Sequence, residues 1–191
     1  RVVSARSRHQ EAARGLGHMA ALMLSDREAR RFLDSVNAAG VEIAAVNSWR
    51  SITIAGPPEA IDTVLEAAAA ARISARRLDL DYPFHSALID SVREPLLREL
   101  DGLQAQTPRL RFVSSVTGQL SGAEQLDADY WWRNVRSRVQ FEAALNTALK
   151  EGIRVFIEIG PKPILASYVR DVLREAAKDG VTLETLAEAG S

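Results

Sequence analysis

His85 is the side chain of this sequence that is best placed for catalysis. It lies in the stretch Tyr82-Pro83-Phe84-His85-Ser86, between a segment that alternates like a strand and one with helical spacing. Such junctions are where α/β folds commonly present catalytic side chains. An imidazole has a pKa near neutrality, so His85 could act both as a base and as an acid. The alternative for a single histidine beside aromatic residues is a structural role in a partly buried position.

The composition excludes several other kinds of chemistry. No cysteine occurs among the 191 residues, which excludes disulfides, thiolate metal sites and a cysteine nucleophile. The three histidines, His9, His18 and His85, are not at metal-ligand spacing, so we predict no metal site. A net charge of -1 gives no field that would attract nucleic acid or an anionic membrane. No apolar stretch is long enough to cross a bilayer, and the default expectation is a cytoplasmic protein.

Strands and helices alternate in the part of the chain before His85. The pattern predicts, in chain order, strand 19–24, helix 26–38, strands 41–47 and 51–56, helix 60–71 and strand 73–81. This β-α-β-β-α-β order fits a ferredoxin-like subdomain. RNA-binding modules use the same unit, but they need exposed stacking aromatics on the sheet. Only Trp49 offers itself, in a predicted turn, so a nucleic-acid function is discounted.

Longer elements after His85 predict a larger α/β body. They are helix 87–103, interrupted or kinked at Pro95, strand 111–116, a helical stretch 129–135, helix 141–150, a buried parallel-type strand 155–160 and a helix over 164–173. The first ten residues read as the middle of a helix, and the chain turns polar and small from Lys178, as a linker does. We therefore expect further protein on both sides.

Several segments, in this order, resemble one family. It comprises the malonyl-CoA:acyl-carrier-protein transacylases and the acyltransferase domains of polyketide and fatty acid synthases. The matching segments are residues 2–7, 17–21, 45–47, 51–56, 82–86, 115–118, 129–135 and 156–161. The motif Tyr-Trp-Trp-Arg-Asn at 130–134 is more similar to those of bacterial modular polyketide synthases than to those of free-standing transacylases.

The resemblance implies an α/β fold with two subdomains. An α/β-hydrolase-like large subdomain carries an inserted ferredoxin-like small subdomain. In this chain, residues 1–17 would form a helix of the large subdomain, 18–82 the small subdomain, 83–176 the C-terminal part of the large subdomain and 177–191 a linker after the domain.

The resemblance also assigns roles to individual residues. A serine in a Gly-His-Ser-x-Gly turn attacks the thioester in that family, and His85 matches the histidine that takes its proton. Asn134 matches the position whose backbone carbonyl holds the other imidazole nitrogen. Arg6 matches the arginine that binds the free carboxylate of a malonyl-type acyl group, which suits a planar, permanently charged guanidinium. Asn47 lies where the family has an asparagine near the hinge of the small subdomain. It is included with Arg6, Tyr82 and Phe84 among the candidate substrate-binding residues, and a structural role is the favoured alternative for it.

Substrate choice in the family follows the four residues that end at the histidine. His-Ala-Phe-His accompanies malonyl groups and Tyr-Ala-Ser-His accompanies methylmalonyl groups, whereas this chain has Tyr82-Pro83-Phe84-His85. Phe84 should crowd a substituent on the α-carbon, so we expect a preference for malonyl groups. Tyr82 is the methylmalonyl-like feature. Excluding one methyl group is worth only about 1–3 kcal/mol, so the preference should be incomplete.

The sequence lacks the family's Gly-His-Ser-x-Gly turn. Ser86 follows His85 directly and should point away from it, and Ser114 and Ser115 have no such glycine pattern. We expect the serine to lie outside these residues. The implied substrate is an acyl-coenzyme A and no cofactor is bound, because the acyl carrier protein supplies the phosphopantetheine thiol; a ketosynthase domain would be a neighbour. The alternatives are a non-catalytic carrier-docking or scaffold module and an unrelated α/β ligand-binding domain.

Overall fold

The computed structural model describes residues 1–106, 108–122 and 126–186. The α-helices of this part of the chain are α1 (Val2–Gln10), α2 (Asp26–Val36), α3 (Pro58–Ala70), α4 (Arg93–Leu100), α5 (Ala128–Arg136), α6 (Phe141–Lys150) and α7 (Ala166–Glu175). Its 3-10 helices are Glu11–Ala13 and Ala87–Val92. The strands are β1 (His18–Leu22), β2 (Glu42–Ser48), β3 (Ser51–Gly56), β4 (Ala75–Arg77), β5 (Val139–Gln140), β6 (Val155–Glu158) and β7 (Val181–Glu184).

Five strands form the sheet of the small subdomain, in the order β4-β1-β3-β2-β5. The first four strands pair antiparallel, and β5 is added beside β2 in parallel. Ile52 and Ile54 of β3 and Leu22 of β1 are fully buried with Ile61 and Val64 of α3. Burying one such side chain stabilises the fold by about 1.5–3 kcal/mol. The β-α-β-β-α-β order predicted from the sequence is the order observed.

Local sequence sets both ends of α2. The Ser25 hydroxyl accepts from the Glu28 amide at 3.3 Å, and the Glu28 carboxylate accepts from the Ser25 amide at 2.9 Å. This reciprocal pair satisfies amides that the first turn of a helix leaves without partners. The helix ends at Val36 because Asn37 adopts a left-handed conformation with φ of +52°, which asparagine tolerates. The predicted helix 26–38 is therefore two residues too long.

The second body packs α1, α4 and α5 around the 3-10 helix 87–92. Its buried apolar residues are Ala5, Ala13, Ile89, Val92, Leu96, Leu100, Trp132 and Val135. A separate cluster joins α6 to α7, and both helices pack beside β2 of the small subdomain. Only two residues separate the end of α5 from the start of β5, so the two bodies meet close to the end of α5.

The predicted helix 87–103 is two shorter helices in the structure. A 3-10 helix covers Ala87–Val92, and α4 starts at Arg93 and ends at Leu100. Pro95 lies in the first turn of α4, where its missing N–H has no intrahelical partner to lose. The same proline could not continue an α-helix from residue 87, because its ring would clash with the carbonyl four residues earlier. The break therefore precedes Pro95 and is not a kink at it.

Two predicted strands are much shorter than expected. The predicted strand 73–81 is reduced to β4, which pairs with three residues of β1. The predicted strand 111–116 is reduced to a bridge between Val113 and Leu120, closed by a tight turn in which the Gly118 amide donates to the Ser114 carbonyl at 2.7 Å. Alternating side chains favour a strand, but its length depends on the neighbour available for pairing.

The last strands form a two-stranded parallel sheet. β6 pairs with β7 from Val155–Val181 to Glu158–Glu184. β7 lies inside the segment 177–191, which we expected to be a linker; residues 187–191 of that segment lie outside the described part. The predicted burial of β6 is also wrong in the described chain, because Val155 and Ile157 are 54% and 59% exposed. One face of β6 packs on α6 and α7 through Phe156, and described residues leave the other face open.

Candidate active site

His85 has an unusual backbone conformation. Its φ is +62°, in the left-handed region that few residues other than glycine occupy. The turn around it is closed by Ser86, whose buried hydroxyl donates to the Pro83 carbonyl at 2.8 Å. Ser86 is thus engaged in the turn, in line with the expectation that it does not serve as the nucleophile. Backbone strain of this kind persists where the surrounding structure fixes it, and it is concentrated at functional sites.

The His85 imidazole is held by a backbone group of another element. Its Nδ1 lies 2.8 Å from the carbonyl oxygen of Ser137. Because a carbonyl can only accept a hydrogen bond, Nδ1 carries the proton and donates it. The neutral imidazole then has its lone pair on Nε2, which is the atom left to act as a base.

The expectation for Asn134 is corrected by this geometry. Its backbone carbonyl was expected to hold the imidazole, but Ser137, the C-cap of α5, does so instead. The last carbonyls of a helix lack intrahelical partners, which leaves the Ser137 oxygen available. The Asn134 side chain has a different contact: its Oδ1 accepts from Nη1 of Arg6 at 2.6 Å.

Arg6 lies close to His85 and is partly buried on α1. Burial lowers the pKa of its guanidinium, although an arginine remains charged at neutral pH. Asn134 engages one of its two terminal nitrogens. A guanidinium held in this way presents its remaining N–H groups in a fixed orientation, which suits a planar carboxylate.

The pKa of His85 is lowered to about 4. Burial is the main cause, and the positive charges of Arg6 and Arg136 add to it, while the hydrogen bond to Ser137 acts in the opposite direction. The imidazole is therefore neutral at pH 7 and able to accept a proton. Arg6, Asn134, Ser137 and His85 form one cluster where α1, α5 and the turn after β4 meet.

Tyr82 and Phe84 stack beside the histidine. Their ring centroids are 5.0 Å apart with an interplanar angle of 4°. Phe84 packs against both apolar cores, with Met19, Ala44 and Ala55 on the small-subdomain side. It therefore lies at the junction of the two subdomains, next to His85.

The Tyr82 hydroxyl points to the 3-10 helix after α1. It donates to the Glu11 carboxylate at 2.7 Å, and Arg14 lies over its ring at 5.3 Å from the centroid. This bond holds the pKa of Glu11 below its ordinary value and raises the pKa of Tyr82. Tyr82 thus contacts the candidate site through its ring, against Phe84, and not through its hydroxyl.

Asn47 is not part of this cluster. Its buried amide donates to the Thr53 hydroxyl at 3.0 Å, across the β2–β3 hairpin. None of the hydrogen bonds found among the described residues joins Asn47 to His85 or Arg6. This contact is what a structural residue makes.

The described residues hold neither a metal site nor a membrane-spanning helix. Between residues 1 and 186, with 107 and 123–125 left aside, no group of three His, Cys, Asp or Glu side chains is arranged to hold a metal ion. The same ranges contain no helix long and apolar enough to cross a membrane.

Ser114 is a buried serine that follows His85 in the chain. Its hydroxyl is hydrogen-bonded to the Tyr130 hydroxyl at 2.7 Å.

Ser137 is the site residue that sequence reasoning missed. It acts through its backbone carbonyl, so its side chain carries no signature of the role. The one available signal was the end of the helical pattern near residue 136, because the carbonyls at a helix end lack partners within the helix.

Comparison with known proteins identifies close similarities over nearly the whole chain. Residues 1–188 match the family described as the acyl transferase domain. The polyketide synthase GfsB of Streptomyces halstedii is 37% identical over 187 residues, which cover 97% of this chain and 3% of GfsB. The erythronolide synthase EryA2 of Saccharopolyspora erythraea is 34% identical, and the match covers 100% of this chain and 5% of EryA2. The chain therefore spans a small part of the curated relatives that it matches.

Solved structures agree with these matches. The acyltransferase domain from module 8 of the salinomycin polyketide synthase has a TM-score of 0.92 and 30% identity, covering 97% of this chain and 44% of that one. The malonyl CoA-acyl carrier protein transacylase of Clostridium perfringens has a TM-score of 0.84 at 23% identity, covering 97% of this chain and 59% of that one, and it shows the fold alone. These likenesses confirm the fold class predicted from the sequence.

Proposed function

The chain belongs to the acyl transferase domain family, and on this premise we propose that it is the C-terminal portion of a polyketide synthase acyltransferase domain specific for malonyl-type groups. The complete domain would move the acyl group from coenzyme A, through a serine ester, to the phosphopantetheine thiol of an acyl carrier protein. The observation that carries the proposal is the His85–Ser137 hydrogen bond, because it leaves Nε2 of a neutral imidazole as a base.

The chemistry requires His85 to accept a proton and give it up twice, once in each half of the reaction. In the first step, Nε2 takes the serine proton while the serine oxygen adds to the thioester carbonyl. The carbon–sulfur bond then breaks, and coenzyme A leaves as a thiol with that proton. In the second step the carrier thiol attacks the serine ester, His85 takes the thiol proton, and the serine oxygen recovers a proton as it leaves. The imidazole ends each cycle as it began.

Arg6 would bind the free carboxylate of the acyl group. Its distance from bulk water strengthens a charge-assisted hydrogen bond, since burial lowers the local dielectric constant. The Asn134 side chain would orient the guanidinium. This role predicts discrimination against acyl groups without a second carboxylate.

Phe84 would set the preference for malonyl over methylmalonyl groups. Phe84 directly precedes His85, and its ring is held by the stacked Tyr82 ring and by the two apolar cores. A rigid ring in this position would crowd a methyl group on the α-carbon. Because one methyl group is worth about 1–3 kcal/mol, the predicted preference is about 10- to 200-fold.

The serine nucleophile is proposed to lie outside these residues. No Gly-His-Ser-x-Gly occurs in the sequence, and the chain covers 44% of the solved salinomycin domain. The apolar side chains left exposed on the two-stranded sheet also support this view, because a sheet face of this kind needs a cover. They are Val155, Ile157, Val181 and Leu183.

The substrates and partners follow from this reaction. Malonyl-CoA or a similar acyl-CoA would be the donor and an acyl carrier protein the acceptor, with a ketosynthase domain as a neighbour. The protein chemistry needs no bound cofactor, since serine, histidine and arginine supply the nucleophile, the base and the carboxylate site.

The test uses the complete domain with this chain in its natural context. Wild type, His85→Ala and Arg6→Ala proteins are mixed with malonyl-CoA and with acetyl-CoA, and the acyl-serine is followed by intact mass. The proposal expects no malonyl ester in His85→Ala, and a shift of preference toward acetyl-CoA in Arg6→Ala. Wild-type malonyl transfer by both variants would overturn it. Absence of any ester in the wild-type domain would favour a non-catalytic carrier-docking or scaffold module.

A further inference from the structure

We propose that Glu42 is a positioning residue for His85, acting from the small subdomain on both segments that form the His85–Ser137 hydrogen bond. The inference rests on the proposed function for its consequence in catalysis. Its geometry is independent of that function. Glu42 is the first residue of β2 and the only charged side chain in an otherwise apolar run, residues 41–46.

One carboxylate contacts both segments. Oε1 of Glu42 accepts from the Ala87 amide at 2.5 Å. The same carboxylate binds the Arg136 guanidinium, with Nη1 to Oε2 at 3.0 Å and Nη2 to Oε1 at 3.3 Å. Arg136 also donates through Nε to Asp90 at 2.6 Å. Glu42 and Asp90 therefore hold Arg136 from two sides.

These contacts are adjacent to the two partners of the catalytic hydrogen bond. Ala87 is two residues after His85, and Arg136 directly precedes Ser137. The chain after Ser137 also joins β2, because Val139 of β5 pairs with Ala45. Glu42 thus fixes the turn that carries the imidazole relative to the carbonyl that orients it. A turn with a left-handed histidine needs such a restraint, since its conformation is unfavourable on its own.

Glu42 also partly neutralises the positive charge of Arg136, which lowers the pKa of His85. The positive charge of Arg136 lowers the pKa of His85, together with that of Arg6 and with burial as the larger cause. Burial lowers the pKa of Arg136 itself, but its bonds to Asp90 and Glu42 raise it overall. The other charged groups that line the groove beside Glu42 are Arg30, Asp34 and Arg138. Loss of the Glu42 charge would leave Arg136 less neutralised and would lower the pKa of His85 further.

An exposed ion pair with a purely structural role would contribute little to the stability of the fold. Its loss would leave the position and the pKa of the His85 imidazole unchanged. The two roles therefore differ in their readouts. A positioning role predicts a changed turnover number and a changed His85 titration. A structural role predicts a lower melting temperature with both of those quantities preserved.

The experiment compares Glu42→Ala and Glu42→Gln with a matched control, Glu66→Ala, which removes an exposed carboxylate from α3 of the same subdomain. In the complete domain, ester formation from malonyl-CoA is measured across pH. We expect Glu42→Ala to reduce kcat about 10- to 100-fold with KM changed less than about twofold, because misplacement of a catalytic group costs turnover. Glu42→Gln keeps an acceptor for the Ala87 amide, so its kcat should lie between those of Glu42→Ala and wild type. The control should behave as wild type.

A second readout does not depend on activity. The His85 imidazole is titrated by NMR in each variant, and the proposal expects a displaced chemical shift and a lower apparent pKa in Glu42→Ala. A kcat and a titration in Glu42→Ala equal to those of the control would overturn the positioning role. If wild type forms no ester at all, the proposed function fails, while the titration still decides the role of Glu42.

Discussion

The imidazole Nδ1 of His85 lies 2.8 Å from the carbonyl oxygen of Ser137, across 52 residues of sequence. This contact determines which nitrogen carries the proton and which can accept one. It also places the His85 imidazole at the junction where the turn after β4, the end of α5 and the start of β5 meet.

The titration of His85 should reflect its buried position. Its pKa in the folded chain is lowered to about 4 from an ordinary value of 6.5. Between these values the unfolded chain binds a proton that the folded chain does not, so stability is highest above pH 6.5 and falls as the pH drops toward 4. Urea unfolding across this pH range measures the effect. The His85→Gln variant should lose most of this slope; an unchanged slope would contradict the assignment.

The Asn134 side chain should matter for substrate binding through Arg6. Replacing Asn134 by alanine removes the acceptor 2.6 Å from the Arg6 guanidinium. A hydrogen bond to a charged group contributes about 1.5–3 kcal/mol, so we expect KM for malonyl-CoA to rise roughly 10- to 100-fold. Steady-state kinetics on the complete domain test this, with Asn146→Ala on α6 as the control. Equal KM values in the two variants would contradict a role for Asn134 in orienting Arg6.

Phe84 should control the discrimination between malonyl and methylmalonyl groups. The Phe84→Ser variant removes the ring that stacks on Tyr82, at the residue directly before His85. We expect the ratio of kcat/KM for malonyl-CoA over methylmalonyl-CoA to fall about 10- to 100-fold, because the methyl group gains space. Competition between the two acyl-CoA substrates, with product masses as the readout, measures this ratio. A ratio that stays within twofold of wild type would exclude Phe84 as the determinant.

Asp171 should hold the β2–β3 hairpin against α7. Its buried carboxylate accepts from the Arg50 guanidinium at 2.7 Å and from the Ser48 hydroxyl at 3.3 Å. The Asp171→Ala variant leaves the buried Ser48 hydroxyl without this partner, which is the costly outcome for a polar group. We expect a melting temperature lower by several degrees. Trp49 fluorescence follows the change at the hairpin, because the Arg50 guanidinium lies 5.6 Å from the Trp49 ring. The conservative Asp171→Asn variant should lower the melting temperature less than Asp171→Ala does.

The sequence predicted the elements of the small subdomain well, because their periodicity and caps are local properties. Ser25, for example, caps α2 through hydrogen bonds with Glu28, three residues away. The lengths of the strands predicted at 73–81 and 111–116 were overestimated, since a strand extends only as far as its partner. β1 offers β4 three paired positions, which no pattern within residues 73–81 could reveal.

The candidate site was predicted in part. The motif around His85 predicted this histidine and the aromatic residues before it as parts of one site, and the resemblance added Arg6; the structure places all of them close together, and their roles stay predictions. The carbonyl that binds the His85 imidazole was expected to be that of Asn134 and is that of Ser137. The sequence did not show this, because a main-chain carbonyl can act in the same way whatever side chain the residue carries. Glu42 did leave a signal: a carboxylate in an apolar strand needs partners. Identifying those partners required the fold, since Ala87 and Arg136 are 45 and 94 residues away in the chain.

In the proposed mechanism, His85 serves a serine that lies outside these residues. Intact mass spectrometry tests it on this chain and on a version extended upstream through the proposed serine, each mixed with malonyl-CoA. We expect a malonyl ester on the extended chain alone, and its loss in the extended His85→Ala variant. A malonyl ester on the 191-residue chain would contradict the account, because a nucleophile would then lie within it.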